Sequence, residues 1–332
     1  MAPRRGGSSG SSSGGSISSC PGAFSTTIEQ VYFASDVLFL AIFFGITIAL
    51  CSFRKSGAGK KLIGVPYIIA LVFFLLTYIL SVISTVLQQC GTIGYYDYFN
   101  WAIAITVFAF LGYWLLLFVV VYTLNSMLRA QTGHRPVVFK IVTLAIVVLM
   151  GILTCTLIGM QSYNNWTQTE AGYDTNADAI IWETARFRVA YYALYMLSVL
   201  ASGALALITI ISQDLIGWVI ALTFVMFFWS MLLLVLVAQS LQDDALEWEA
   251  SAALTYLINL GQALAFIFLL CIAKHAAWSA PTVADPAYVG DAYVGAAEPK
   301  QYDHNATPGQ VYYYQQAPVY NGAANPMIHP VR

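Results

Sequence analysis

Asn259 and Gln262 stand three residues apart within an otherwise apolar stretch, so in a helix their amides project from one face. Amides at that spacing serve either as hydrogen-bonding groups between helices or as the polar part of a ligand or conduction site. Asp36 is the one carboxylate well inside an apolar run. It stands about five residues into that run, roughly 7.5 Å along a helix. It reads as an interfacial residue facing water or as a polar anchor facing a cavity, suited to a cationic group, and the shallow depth favours the first.

Other chemistries fall by elimination. The stretch SGAGKK suggests a phosphate-binding loop, but Arg54 stands where the first glycine is needed, and Lys61 follows Lys60 where a Ser or Thr is needed. An intramembrane zinc hydrolase needs His and acidic ligands at depth, whereas His134, His275, His304 and His329 all fall in loops or the tail. A retinal Schiff base needs a lysine in the middle of the last helix, and Lys274 lies past its end. Neither a serine nucleophile with a nearby base nor a pair of buried acids is present for proteolysis. No cofactor or metal is implied, and the expectation is a protein that is not an enzyme. Cys20 and Cys90 are both placed in outer segments, where an oxidising compartment permits a disulfide. Cys51, Cys155 and Cys271 lie in apolar runs.

The elements that must carry these residues follow from composition. Of the 332 residues, 59% are hydrophobic and 9% charged, and mean hydropathy is +0.71, against about 25% charged in soluble domains. About 20 apolar residues cross a hydrocarbon core as a helix. Seven such runs are present, at about 31–52, 62–87, 98–123, 137–160, 189–211, 216–239 and 252–272. The predicted fold class is an all-α membrane protein, a bundle of seven transmembrane helices over residues 31–275. Residues 1–30 read as a Gly/Ser-rich disordered outer tail without a signal peptide's apolar core, and residues 276–332 as a disordered Tyr/Gln/Pro-rich cytoplasmic tail.

Loop charge sets the orientation. The first loop holds Arg54, Lys55, Lys60 and Lys61, and the third holds Arg129, Arg135 and Lys140, which places both in the cytoplasm. The second loop has Asp97, and the sixth has Asp243, Asp244, Glu247 and Glu249, with no Lys or Arg in either. The N-terminus is therefore expected outside and the C-terminus inside. Asn165-Trp166-Thr167 in the fourth loop is a glycosylation sequon on the outer side. Arg186 and Arg188 run against the pattern, with Glu183 spaced to pair with Arg186 along a helix.

In layout the chain resembles the seven-helix integral membrane proteins of filamentous fungi, some of them loosely called receptor-like. The likeness covers residues 31–275: seven helices, an outer N-terminus, a glycosylatable outer loop, basic inner loops and a Tyr/Gln/Pro-rich inner tail. The chain departs from rhodopsin-like receptors, since helix three ends VYTLNSMLRA without an acidic-Arg-aromatic triplet and helix seven has no Asn-Pro-x-x-Tyr. The resemblance implies a receptor-like protein that senses an extracellular small ligand or cation and recruits a cytoplasmic adaptor through its C-terminal tail. A transporter or channel for a small molecule or ion is the alternative, as is a non-enzymatic membrane-organising protein. Partners are the lipid bilayer and these ligands, not nucleic acid. Inverted repeats and broken helices, the usual marks of a transporter, are not visible, and Pro66 is the one proline placed well within a span.

Overall fold

The tetrapeptide TTIE at residues 26–29 opens the first helix with a reciprocal cap. The Glu29 N–H donates to Thr26 Oγ1 and the Thr26 N–H donates to Glu29 Oε2, both at 3.3 Å, satisfying two backbone donors that the helix leaves free. Helix α1 therefore covers Thr27–Phe53 and begins ahead of the apolar run. The computed structural model describes residues 20, 23–53, 61–131, 137–169, 171–172, 178–209, 213–239, 241 and 247–275. Arg54, Lys55, Lys60, Arg135, Asp243, Asp244, residues 1–19 and the tail after residue 275 lie outside the described residues.

Helix α2 is Val65–Gln89, with Gly64 at its N-cap and Pro66 in its first turn. There the missing N–H of proline removes no helical bond, so Pro66 starts a span rather than interrupting one. The Gly94 N–H donates to Asp97 Oδ2 at 3.3 Å at the head of α3, Tyr95–Phe118. A π-helical turn, Val119–Leu124, joins α3 to α4, Asn125–Gln131, so the third span is one continuous rod. Helices α5 (Val137–Trp166), α6 (Ile181–Thr209), α7 (Gln213–Gln239) and α8 (Trp248–Lys274) complete the order. Helix α6 starts well before the apolar run at 189, because Glu183, Arg186 and Arg188 lower hydropathy without breaking the helix.

Seven helices among the described residues are long and apolar enough to cross a membrane, and no strand is present among them. This is a multi-pass, all-α membrane protein. Each span packs on the next, and α8 returns to α1, so the spans close into a ring. In α8, 56% of the apolar window is buried, against 28–39% in the other spans, which makes α8 the central wall of the bundle. Ile141, Leu144, Val148 and Ile152 on α5 face outward, as an apolar solvent requires.

Small residues let the helices approach closely. A Cβ on Gly203 of α6 would stand 2.3 Å from Thr223 Cγ2 of α7, and one on Gly261 of α8 would stand 2.9 Å from Trp229 Cβ. The two ends of the bundle differ in chemistry. Cys20 is disulfide-bonded to Cys90 just beyond α2, and this disulfide end carries Asp97, Asp178, Glu183, Glu247 and Glu249. Lys61, Arg129, Lys140 and Lys274 gather at the opposite, basic end, where the Arg129 guanidinium lies 3.3 Å from the Phe139 ring centroid, a cation–π contact.

Candidate functional site

Gln262 is 2% exposed and bridges three helices. Its Oε1 accepts from the Tyr78 hydroxyl of α2 at 3.3 Å, and its Nε2 donates to the Tyr113 hydroxyl of α3 at 3.2 Å. The Tyr195 hydroxyl of α6 donates to the Tyr113 carbonyl at 3.3 Å. The Tyr113 and Tyr195 rings meet Trp229 of α7 edge to face at 5.3 and 5.6 Å. Tyrosines at this depth need partners for their hydroxyls, and the facing helices supply them.

Asp36 lies one turn toward the disulfide end. Ser81 Oγ donates to Asp36 Oδ2 at 2.6 Å, within the short range of a hydroxyl bonded to a carboxylate. Phe39, one turn along α1 from Asp36, sits 6.2 Å from both the Tyr78 and Tyr256 rings, and the Tyr256 hydroxyl donates to the Val31 carbonyl at 3.1 Å. Asn259 occupies α8 one turn from both Tyr256 and Gln262 and is buried, yet it joins none of these hydrogen bonds. Asp36 and Gln262 thus flank the Phe39–Tyr78 pair, where α1, α2 and α8 meet. Helix α1 begins at Thr27, so Asp36 is roughly 13 Å along it at about 1.5 Å per residue.

Ser35 stands on the α1 stripe of Ser35, Phe39, Phe43, Ile46 and Leu50 that faces the bundle, and it is 1% exposed. Most Ser and Thr hydroxyls on the spans, such as Thr47, Thr77, Thr154 and Thr223, donate to a carbonyl one turn back in their own helix. The buried Ser35 hydroxyl makes no hydrogen bond, and neither does the buried Trp229 Nε1.

Beyond Gln262 toward the basic end, the interior is filled by rings. Phe43, Phe74 and Phe266 lie mutually 5.4–5.6 Å apart, and the Tyr67 hydroxyl donates to the Phe266 carbonyl at 3.1 Å. A second polar knot lies along the third span, where fully buried Asn125 follows the π turn. Its Nδ2 donates to Ser202 Oγ at 2.7 Å, to the Val121 carbonyl at 3.2 Å and to the Val120 carbonyl at 3.3 Å.

The remaining sequence candidates fall elsewhere. Asn165 is in the last turn of α5, its Oδ1 accepting from Gln161 Nε2 at 3.4 Å, while the Thr167 hydroxyl is buried and donates to the Asn164 carbonyl at 2.8 Å. Arg188 donates to Gln161 on α5. Glu183 and Arg186 are exposed and form no ion pair among the described residues. Sequence reasoning overlooked Ser35, Tyr78, Ser81 and Asn125. Depth alone could have flagged the tyrosines, since a hydroxyl far from water requires an acceptor or donor.

No protein-family model matches this chain, and no curated protein or solved structure matches it. The class that fold and site define is a seven-span, all-α membrane protein whose polar interior lies mainly between α1, α2, α3 and α8.

Proposed function

We propose that the protein is a receptor-like membrane protein, with its N-terminus and disulfide end outside and its C-terminus in the cytoplasm. It senses an extracellular ligand between α1, α2 and α8. The observation that carries this reading is an asymmetry along the bundle axis. The Ser35 hydroxyl, without a partner, stands next to Asp36 along α1 on the disulfide side of Gln262, and the Phe43–Phe74–Phe266 rings close the basic side. A transporter would need polar lining to continue through those rings.

Orientation is supported by Lys61, Arg129, Lys140 and Lys274 at one end, as cytoplasmic loops favour, and by a disulfide at the other. The tail after residue 275 is the segment proposed to recruit a cytoplasmic adaptor. The layout likeness to receptor-like fungal seven-helix proteins points the same way.

Two experiments test the reading. An N-terminal tag should react with antibody on intact cells and a C-terminal tag only after permeabilisation. A fluorophore on Cys51, exposed near the basic end of α1, in a Cys155→Ser/Cys271→Ser background, should change emission with a binder from a panel of ions, sugars, lipids, peptides and amines. Flux of a panel member into proteoliposomes above that of empty vesicles would instead establish a transporter.

A further inference from the structure

We infer that Asp36, Ser81, Ser35 and Asn259 form a binding site for a small primary ammonium, seated against the rings of Phe39, Tyr78 and Tyr256. This deepens the receptor reading and rests on it for the side from which the ligand comes.

The charge argument comes first. Asp36 is hydrogen-bonded by Ser81 through one oxygen, and no Lys, Arg or His pairs with it among the described residues. An acidic group within a span is costly, and such groups pair with a counter-charge or mark a ligand pathway. Here the bundle supplies a hydrogen bond and no cation.

Hydrogen-bond accounting then selects the shape. A primary ammonium has three N–H donors in a compact head. No hydrogen bond of the bundle uses the second carboxylate oxygen of Asp36 or the Asn259 amide oxygen, and the Ser35 hydroxyl, next to Asp36 along α1, is buried without a partner. Ser35 carries weight because it is 1% exposed on the inward stripe and forgoes the carbonyl bond that Thr47 makes on the same helix. A quaternary ammonium would leave these acceptors unpaired.

The rings distinguish an organic cation from a metal ion. Phe39 adjoins Asp36 by one helical turn and is flanked by Tyr78 and Tyr256 at 6.2 Å each. Aromatic faces attract ammonium groups and accommodate an attached hydrocarbon chain. Hard metal ions instead gather several carboxylate and carbonyl oxygens, and no group of three His, Cys, Asp or Glu side chains converges among the described residues.

The test uses the full-length protein in detergent, with n-butylamine, charged at neutral pH, and its neutral analogue n-butanol. Melting temperature and calorimetric titration should both report binding of n-butylamine at millimolar concentration, at least tenfold tighter than n-butanol. Asp36→Asn, which keeps an acceptor for Ser81, should weaken the amine at least tenfold without changing the alcohol, and Ser35→Ala should weaken it less. Equal binding of amine and alcohol, or equal amine binding by wild type and Asp36→Asn, overturns the site. Stabilisation by sodium or potassium chloride that requires Asp36, with no response to n-butylamine, overturns it in favour of a metal ion. Should Asp36→Asn fail to fold, Ser35→Ala carries the test, and unchanged amine affinity in that variant overturns the proposal. The Cys51 reporter separates the two readings. Amine binding through Asp36 with a silent reporter keeps the site and removes the receptor, whereas a reporter response confined to another compound class removes the ammonium and keeps the receptor.

Discussion

Asn125 donates a 2.7 Å hydrogen bond to Ser202 across the seam between α4 and α6, directly after the π turn of the third span. The same amide nitrogen also donates to the Val120 and Val121 carbonyls inside that turn. The Ser202 hydroxyl in turn donates to the Val120 carbonyl at 3.2 Å. A π turn displaces carbonyls from their usual helical partners, and these two side chains supply replacement donors.

Replacing Asn125 by Leu should therefore destabilise the protein by about 1–3 kcal/mol, since buried acceptors lose their donors. Ser202→Ala should cost less, because Asn125 Nδ2 retains the two carbonyls. The double variant should be non-additive by about 0.5 kcal/mol or more, as for groups sharing one network. Thermal unfolding of the four proteins in one detergent measures this, and strict additivity would separate Asn125 from Ser202.

Asn259 and Gln262 share a helix face but should respond differently to the same substitution. Gln262→Leu leaves the Tyr78 and Tyr113 hydroxyls without their partner and should cost about 1–3 kcal/mol. Asn259→Leu breaks no hydrogen bond and removes a buried, unpaired amide, so it should not lower stability. Melting temperatures of the two single variants decide it, and equal losses would contradict the bonding described here.

The contrast shows what sequence could supply. The common face of Asn259 and Gln262 follows from helical spacing alone, but the rotation of α8 that aims Gln262 at Tyr78 and Tyr113 depends on packing against α7. There Gly261 admits Trp229. All seven spans were legible as apolar runs because lipid imposes length and hydropathy on each. Their starts were less so. The Thr26–Glu29 cap was present in the sequence, yet hydropathy places the start at 31, and Arg186 and Arg188 hide the first turns of α6. The π turn left no pattern in VVVYTL, since its supporting donors come from Asn125 and from Ser202 on another helix.

Gly203 sets the approach of α6 to α7. Gly203→Ala would bring a Cβ to 2.3 Å from Thr223 Cγ2 and 2.7 Å from Oγ1, whereas Thr223 Cβ is 3.1 Å away. The variant should lose about 1–3 kcal/mol by overpacking. Adding Thr223→Ala removes both clashing atoms and should recover most of the loss. Failure of the second substitution to rescue the first, by thermal unfolding, would show that the helices meet differently.

The Cys20–Cys90 disulfide ties the segment before α1 to the end of α2 across a sequence separation of 70. Near it the Phe24 N–H donates to Gln89 Oε1 at 3.2 Å, Gln30 Nε2 donates to the Phe24 carbonyl at 2.8 Å, and the Phe24 and Phe33 rings stand 4.6 Å apart. The bond thus holds a small packed lid over the first two helices. In water, closing a loop of that length would be worth about 4 kcal/mol by chain entropy. Lipid already restrains α1 and α2 in the unfolded state, so the loss in Cys20→Ser should be smaller, about 1–3 kcal/mol. A reductant should lower the melting temperature of the wild type to that of Cys20→Ser and leave the variant unchanged. A wild type from the native membrane that is already insensitive to reductant, with both thiols free to alkylation, would place this end of the bundle in a reducing compartment and reverse the proposed orientation.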